Sequence, residues 1–219
     1  MPNEHPILFS GEMVKVILEG RKTQTRRVIK PQPVSYHPHH VLDYVSWKTV
    51  DCKLVSFPIF VNKYCPYGQA GDLLWVRETW ATICKVAIPY CECETEADRK
   101  ENHYIEYRAD TGNPYPGDWP EDEARGNDEA PKWKSPYHMP RWASRITLEI
   151  VSVCVERVQD ITGADVASEG VEFPDATAIT TVAERWKPFR DLWDSINAKR
   201  GYGWDANPWV WVLEFKVIK

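Results

Sequence analysis

The chain closes on "NPWVWVLEFKVIK", where Trp209, Trp211, Leu213, Phe215 and Val217 recur at every second position and Glu214 and Lys216 fall between them. A period of two puts the apolar set on one face of a β-strand and the charged pair on the other. Two adjacent tryptophans on that face make it a core face, so this strand must lie against a hydrophobic layer. An earlier stretch, "RITLEIVSVCVERV", carries the longest strand signal. Ile146, Leu148 and Ile150 alternate with Thr147 and Glu149, and from Val151 both faces become more apolar. A fold that accepts two long strands of this kind needs a sheet first and helices second.

The other elements are short. "HPILFSG" predicts a strand over Ile7 to Phe9. Ser10 then caps a helix from Gly11 to Glu19, with Val14, Ile17 and Leu18 inward and Gly20 as its stop. "RKTQTRRVI" alternates polar residues with β-branched ones, so Thr23, Thr25 and Arg27 share one face of a strand and Lys22, Gln24 and Arg26 the other. Strands are also expected at Leu73–Glu78 and His103–Arg108. Thr162 caps a short helix through Ala164, Val166 and Ala167 that stops at Glu169-Gly170. Phe189, Leu192, Trp193 and Ile196 mark another helix by their spacing. No βαβ rhythm appears. The reading is α+β: a mostly antiparallel β-barrel with short decorating helices, one domain over 1–219 with two long surface insertions at about 31–67 and 82–131.

Net charge is −5 over 219 residues, but it is unevenly spread. Residues 92–129 hold thirteen acids and four bases (−9), which leaves nineteen acids and twenty-three bases (+4) elsewhere. The remainder can meet an anionic partner that the total would repel. No stretch is apolar enough to span a bilayer and "MPNEHPILFS" is not a secretory leader, so a cytoplasmic protein with no membrane partner is expected. Cys84, Cys91 and Cys93, with Cys65 further back, and the "HPHH" run (His37, His39, His40) are metal-type residues without metal-type spacing. They read as reduced thiols and a solvated loop, with no metal or cofactor expected.

Against that background "GRKTQTRRV" stands out. Arg21, Lys22, Arg26 and Arg27 sit beside the hydroxyls of Thr23 and Thr25 within nine residues. The bland reading is a helix stop followed by a solvated polar strand. The functional reading is one wall of a pocket, with Glu169 and "MPRWASR" as the others. Arg141 and Arg145 offer paired donors for phosphate or a base edge, and Trp142 a stacking surface.

The pieces "ILFSGEMVKVILEGRKTQTRRV", "GQAGDLLWVRETW", "KWKSPYHMPRWASRITLEI", "DITGADVASEGV" and "WDANPWVWVLEFKVI", in this order, resemble an ASCH-domain protein of the phage or prophage type, within the PUA-like superfamily. The resemblance covers some two thirds of the chain and implies a PUA-like β-barrel. It implies binding of RNA or of a modified nucleoside or nucleotide, with Arg21, Arg26, Arg27, Arg141, Trp142 and Arg145 as binding residues. A bacterial branch similar at the "GRKT-x-T" turn acts as an amidohydrolase on N4-acetylcytidine. Its Lys, Thr and Glu fall on Lys22, Thr25 and Glu169, so the same resemblance implies these as catalytic residues. There Lys22 would serve as base, Thr25 as nucleophile and Glu169 as proton donor. A phage-encoded protein-interaction module with acidic loops is the third reading.

Overall fold

In the computed structural model, the residues described are 2–32, 47–48, 54–55, 64–84, 103–111, 133–172 and 182–219. Most of the first expected insertion, much of the second, and His37, His39, His40, Cys91 and Cys93 lie outside them. The chain forms two compact units. One comprises residues 1–5, 16–74 and 147–219, the other 6–15 and 75–146.

The first unit is built on two long strands, β8 (Thr147–Arg157) and β9 (Trp209–Val217), paired antiparallel along most of their length. Val151 is the extra residue of a bulge between Ile150 and Ser152 and is exposed. On the other side of β9 lies β2 (Gln24–Val28), also antiparallel, with Thr25 opposite Leu213 and Arg27 opposite Trp211. At the far edge the opening residues of β1 (Glu4–Leu8) and β5 (Leu73–Arg77) join, through Leu73 N–H to Asn3 O at 2.8 Å and Ile150 N–H to Asp72 O at 2.9 Å. The sheet order is β1-β5-β8-β9-β2. A two-residue ladder, β3 (Trp47–Lys48) with β4 (Leu54–Val55), also falls in this unit.

Trp209 and Trp211 are buried, as the alternation requires, and pack with Ile29 and Val155. Val210 and Val212 are buried as well. They meet Val158, Ile161 and Val166, together with Phe189 and Trp193. The charged face expected from Glu214 and Lys216 therefore begins only at the end of β9. The reason is position: β9 is an inner strand, and helices cover its second face. These are α3 (Gly163–Ser168) and α4 (Val182–Asn197). Each buried side chain of this size contributes about 1.5 to 3 kcal/mol. Ile196, which the helical spacing turned inward, is 40% exposed near the end of α4.

In the second unit, the later residues of β1 and β5 continue. Phe9 N–H donates to Arg77 O at 3.2 Å, and Val76 N–H to Ile146 O at 3.0 Å. Strands β6 (Trp80–Cys84) and β7 (His103–Tyr107) pair antiparallel, with Trp80 opposite Tyr107, and a short helix α2 (Arg108–Thr111) follows. Trp80, Met139 and Ala143 form its core with Ile105, Tyr107 and Trp142. Helix α1 (Gly11–Leu18) starts here, with Met13 N–H on Ser10 Oγ at 3.3 Å as the expected cap, and ends in the first unit. The α+β class and the dominance of antiparallel pairing follow from these elements. Among the described residues, no helix is long and apolar enough to cross a membrane.

Candidate functional site

The cationic cluster is placed by two turns. After α1 the chain reverses at Gly20, whose φ of +72° suits glycine, and the N–H groups of Arg21 and Lys22 both return to Val16 O. Helix α3 is set by a capping box. The Thr162 hydroxyl accepts from Asp165 N–H, and the Asp165 carboxylate accepts from Thr162 N–H. The helix ends on Glu169, and Gly170 turns away at φ +78°. A Cβ at Gly170 would lie 2.9 Å from Val16 Cγ2 and 3.1 Å from Lys22 Cβ. Only glycine lets the end of α3 approach the start of β2 this closely. The contact is then fixed by an antiparallel bridge between Lys22 and Glu169 and by Thr23 N–H on Ser168 O at 2.8 Å.

The result is a buried ionic network. The Lys22 side chain is fully enclosed, and its Nζ donates to Glu169 Oε2 at 2.6 Å and to Glu169 O at 2.9 Å. Glu169 Oε1 accepts from Arg26 Nη1 at 3.2 Å. Arg26 Nη1 also donates to Gln24 Oε1 at 2.6 Å, and its Nε to Glu156 Oε1 at 2.8 Å. Gln24 Nε2 reaches Asp165 Oδ1 at 3.2 Å and Glu214 Oε1 at 3.4 Å. Both oxygens of Glu169 thus accept from cationic donors.

Thr25 is buried, and its Oγ1 accepts from Arg27 Nη1 at 3.0 Å. The pairings Gln24–Arg26 and Thr25–Arg27 reproduce the two faces read from the sequence. Arg27 nevertheless acts on the other side. Burial pushes the Lys22 ammonium below its ordinary range, Glu169 opposes this, and the charge of Arg27 adds to the lowering more than that of Arg26. Burial also lowers Arg27, against Tyr67 and Glu169. Tyr67 is itself raised by burial and held back by Arg27. Burial raises Glu156 against the pull of Arg26. It tends to raise Asp165 too, but hydrogen bonds from Thr162 and Gln24 and the charge of Arg26 keep that carboxyl low.

Of the residues singled out by sequence, the first unit brings Lys22, Glu169 and Arg26 into direct contact and joins Thr25 to Arg27. Arg21 is at the surface, paired with Glu19 and with Glu172 at 3.5 Å. It lines a shallow depression with Ala167, Gly170, Val171 and Glu172. Arg141, Trp142 and Arg145 belong to the second unit. There Trp142 stands edge-on to Trp80, with ring centroids 6.1 Å apart. Arg145 is bidentate to both Glu78 and Asp110, and Arg141 is half-buried in a 3-10 turn. Gln24, Glu156, Asp165, Gly170 and Tyr67 were not read as site residues. Gln24 shares a strand face with Arg26, and Asp165 stands three residues after the Thr162 cap. Glu156 carries no comparable local signal. Among the described residues, no group of three or more His, Cys, Asp or Glu is arranged to hold a metal ion.

Fold and site together define an α+β protein whose mainly antiparallel sheet holds a buried lysine–glutamate pair beside its edge strand. No family model matches the chain, and no curated protein matches it. Among solved structures it is similar to the ASCH domain from Lactobacillus crispatus JV V101, known from a high-resolution crystal structure. The TM-score is 0.39 and the identity 13%, over 98% of this chain and 79% of that one. A likeness this distant carries no function, and the functional reading rests on the site.

Proposed function

We propose that the site at Lys22 and Glu169, beneath the depression lined by Arg21, Ala167, Gly170, Val171 and Glu172, recognises a modified nucleoside, free or within RNA, in a PUA-like barrel formed by the mainly antiparallel sheet. The observation that carries this reading is the enclosed contact of Lys22 Nζ with Glu169 Oε2 at 2.6 Å. A buried ionic network is a costly way to hold a fold, since apolar side chains of similar volume stabilise it as well or better. Perturbed ionisable groups of this kind gather where a ligand is handled. Fixed donors and acceptors suit the edge of a base. Among the described residues the network holds no excess of positive charge: Lys22, Arg26 and Arg27 stand against Glu169, Glu156, Asp165 and Glu214. The rim arginine, Arg21, already faces Glu19 and Glu172. That leaves no surplus of positive charge to draw in a phosphate, so the base is the part read.

A second reading is favoured by the lowered Lys22 and the nearby charge of Arg27 on the Thr25 hydroxyl. With an N4-acylated cytidine in the pocket, a neutral Lys22 would take the Thr25 proton as Thr25 Oγ attacks the acyl carbon. The acyl group would pass to Thr25. The departing amine would take up the proton now on Lys22, and water would then hydrolyse the ester. Glu169, engaged by two cations, orients Lys22 in this scheme instead of donating a proton.

The experiment follows binding of cytidine and N4-acetylcytidine, and release of acetate, alongside RNA binding at two salt concentrations. Glu169→Gln should weaken nucleoside binding. If the wild type binds without releasing acetate, the site is a recognition site. If it releases acetate, Lys22→Arg should abolish turnover, because arginine stays protonated, and Thr25→Ser should retain part of it. Wild-type behaviour of Glu169→Gln, Lys22→Arg and Thr25→Ser in every assay would overturn both readings.

A further inference from the structure

We propose that Arg26 is a positioning residue that holds the Glu169 carboxylate against Lys22, and that Glu156 in turn aligns Arg26. The inference rests on the reading of Lys22 and Glu169 as the ligand-handling pair. It concerns what keeps that pair in register.

Glu169 caps the C-terminal end of the six-residue helix α3, and its carboxylate is reached by two cations, Lys22 just before β2 and Arg26 within it. Lys22 holds Oε2. If Lys22 were the only tie, the carboxylate would be free to swing about its side-chain torsions and to exchange its oxygens. Arg26 Nη1 on Oε1 at 3.2 Å removes that freedom. A guanidinium can do this because it is planar and its donors point in fixed directions, which an ammonium's do not.

The guanidinium is itself oriented from behind. Nε donates to Glu156 Oε1 at 2.8 Å. Nη2 lies 2.6 Å from the same oxygen without hydrogen-bond geometry and 3.5 Å from Asp165 Oδ2. Gln24, from the same strand face, closes the Nη1 side at 2.6 Å. The Arg26 side chain is 1% exposed, while that of Glu156 is 24% exposed. Glu156 can therefore be changed with less risk to the fold than Arg26. The relay runs β8 to β2 to the end of α3: Glu156, then Arg26, then Glu169, then Lys22.

A part that merely holds the fold would lower stability whatever stands at 169. A positioning relay acts only through Glu169, so a double-mutant cycle separates the two. The ligand-free readout is the rate at which the Lys22 Nζ protons exchange with water, followed by NMR on the full chain. Glu156→Gln should speed that exchange about fivefold, and Glu169→Gln should speed it more. Glu156→Gln added to Glu169→Gln should then change it less than about twofold, because the path through Glu169 is already broken. Amide exchange within β9 reports whether the fold has been disturbed. Affinity for N4-acetylcytidine should follow the same non-additive pattern. An equal effect of Glu156→Gln in both backgrounds, or no effect in the wild type, overturns the positioning role. If the exchange rates behave as stated but neither cytidine nor N4-acetylcytidine binds the wild type, the relay stands and the nucleoside reading falls.

Discussion

In the first unit two cations, Lys22 and Arg26, converge on one carboxylate, Glu169. In the second the ratio is inverted, and one guanidinium, Arg145, is shared by Glu78 and Asp110. Arg145 meets Glu78 at 2.9 and 3.0 Å and Asp110 at 2.6 and 2.9 Å, with its Cζ 4.0 Å from the centre of the Tyr107 ring. The electrostatic consequences are opposite. Burial pulls Arg145 down, but its hydrogen bonds to the two carboxylates, and their charges, outweigh this and raise it further into its charged form. Burial pulls Lys22 down, and its single carboxylate, opposed by Arg27 and Arg26, does not restore it. Two acids per base keep the Arg145 guanidinium in its charged form, while burial raises the Glu78 carboxyl. Burial, with two cations meeting at the one Glu169 carboxylate, leaves the proton of Lys22 more easily lost than usual.

The largest test of this contrast removes the central group of each network. Glu169→Ala leaves Lys22 and Arg26 enclosed with a missing counter-charge and should cost about 3 to 5 kcal/mol in denaturant melting. Glu78→Ala leaves Arg145 partly solvated and still paired with Asp110, so about 2 kcal/mol is expected. Equal losses would erase the distinction. Both variants should shift one transition, in keeping with a single domain over 1–219, and two separate transitions would divide it.

A smaller effect is read in the alkaline range. Because the folded pKa of Lys22 is lowered, the unfolded chain binds more protons than the folded one between that value and the ordinary 10.5. Stability should therefore carry a rising contribution as pH increases through this window, and lose it as pH falls below. Lys22→Met should remove that slope, and Arg145→Met should leave it in place. A slope unchanged by Lys22→Met would mean that burial does not perturb this amine. The smallest effect is at the outer end of the Arg145 clip. Asp110 is half exposed, so Asp110→Ala should cost less than about 1 kcal/mol, with added salt shrinking the difference further.

Local order was legible wherever short-range physics sets it. The Ser10 and Thr162 caps, the glycine stops at 20 and 170, and the long strands at 147–157 and 209–217 follow from neighbours within a few residues. So does the division of Gln24 and Arg26 from Thr25 and Arg27, because a strand's period of two needs no partner to be predicted. Lys22 and Glu169 were singled out through a resemblance, and nothing in their local sequences ties one to the other. They are 147 residues apart.

Three things were decided only by the tertiary structure. The first is the burial of Val210 and Val212. Alternation marks one apolar face, but whether the second face is covered depends on β9 being an inner strand with α3 and α4 packed over it. The second is the partner set of Arg26. Glu156 and Asp165 reach it from β8, across β9 from β2, and from the start of α3, and no spacing in the chain encodes that meeting. The third is the state of Lys22. In the sequence it is one cation among four in "GRKTQTRRV". The absence of a side chain at Gly170 lets α3 close over it, and removal from water then pulls its ammonium below the ordinary range. A residue's type and its strand face are properties of the local chain. Its solvent and its counter-ions belong to whatever the fold packs around it, and the chemistry of this site depends on those.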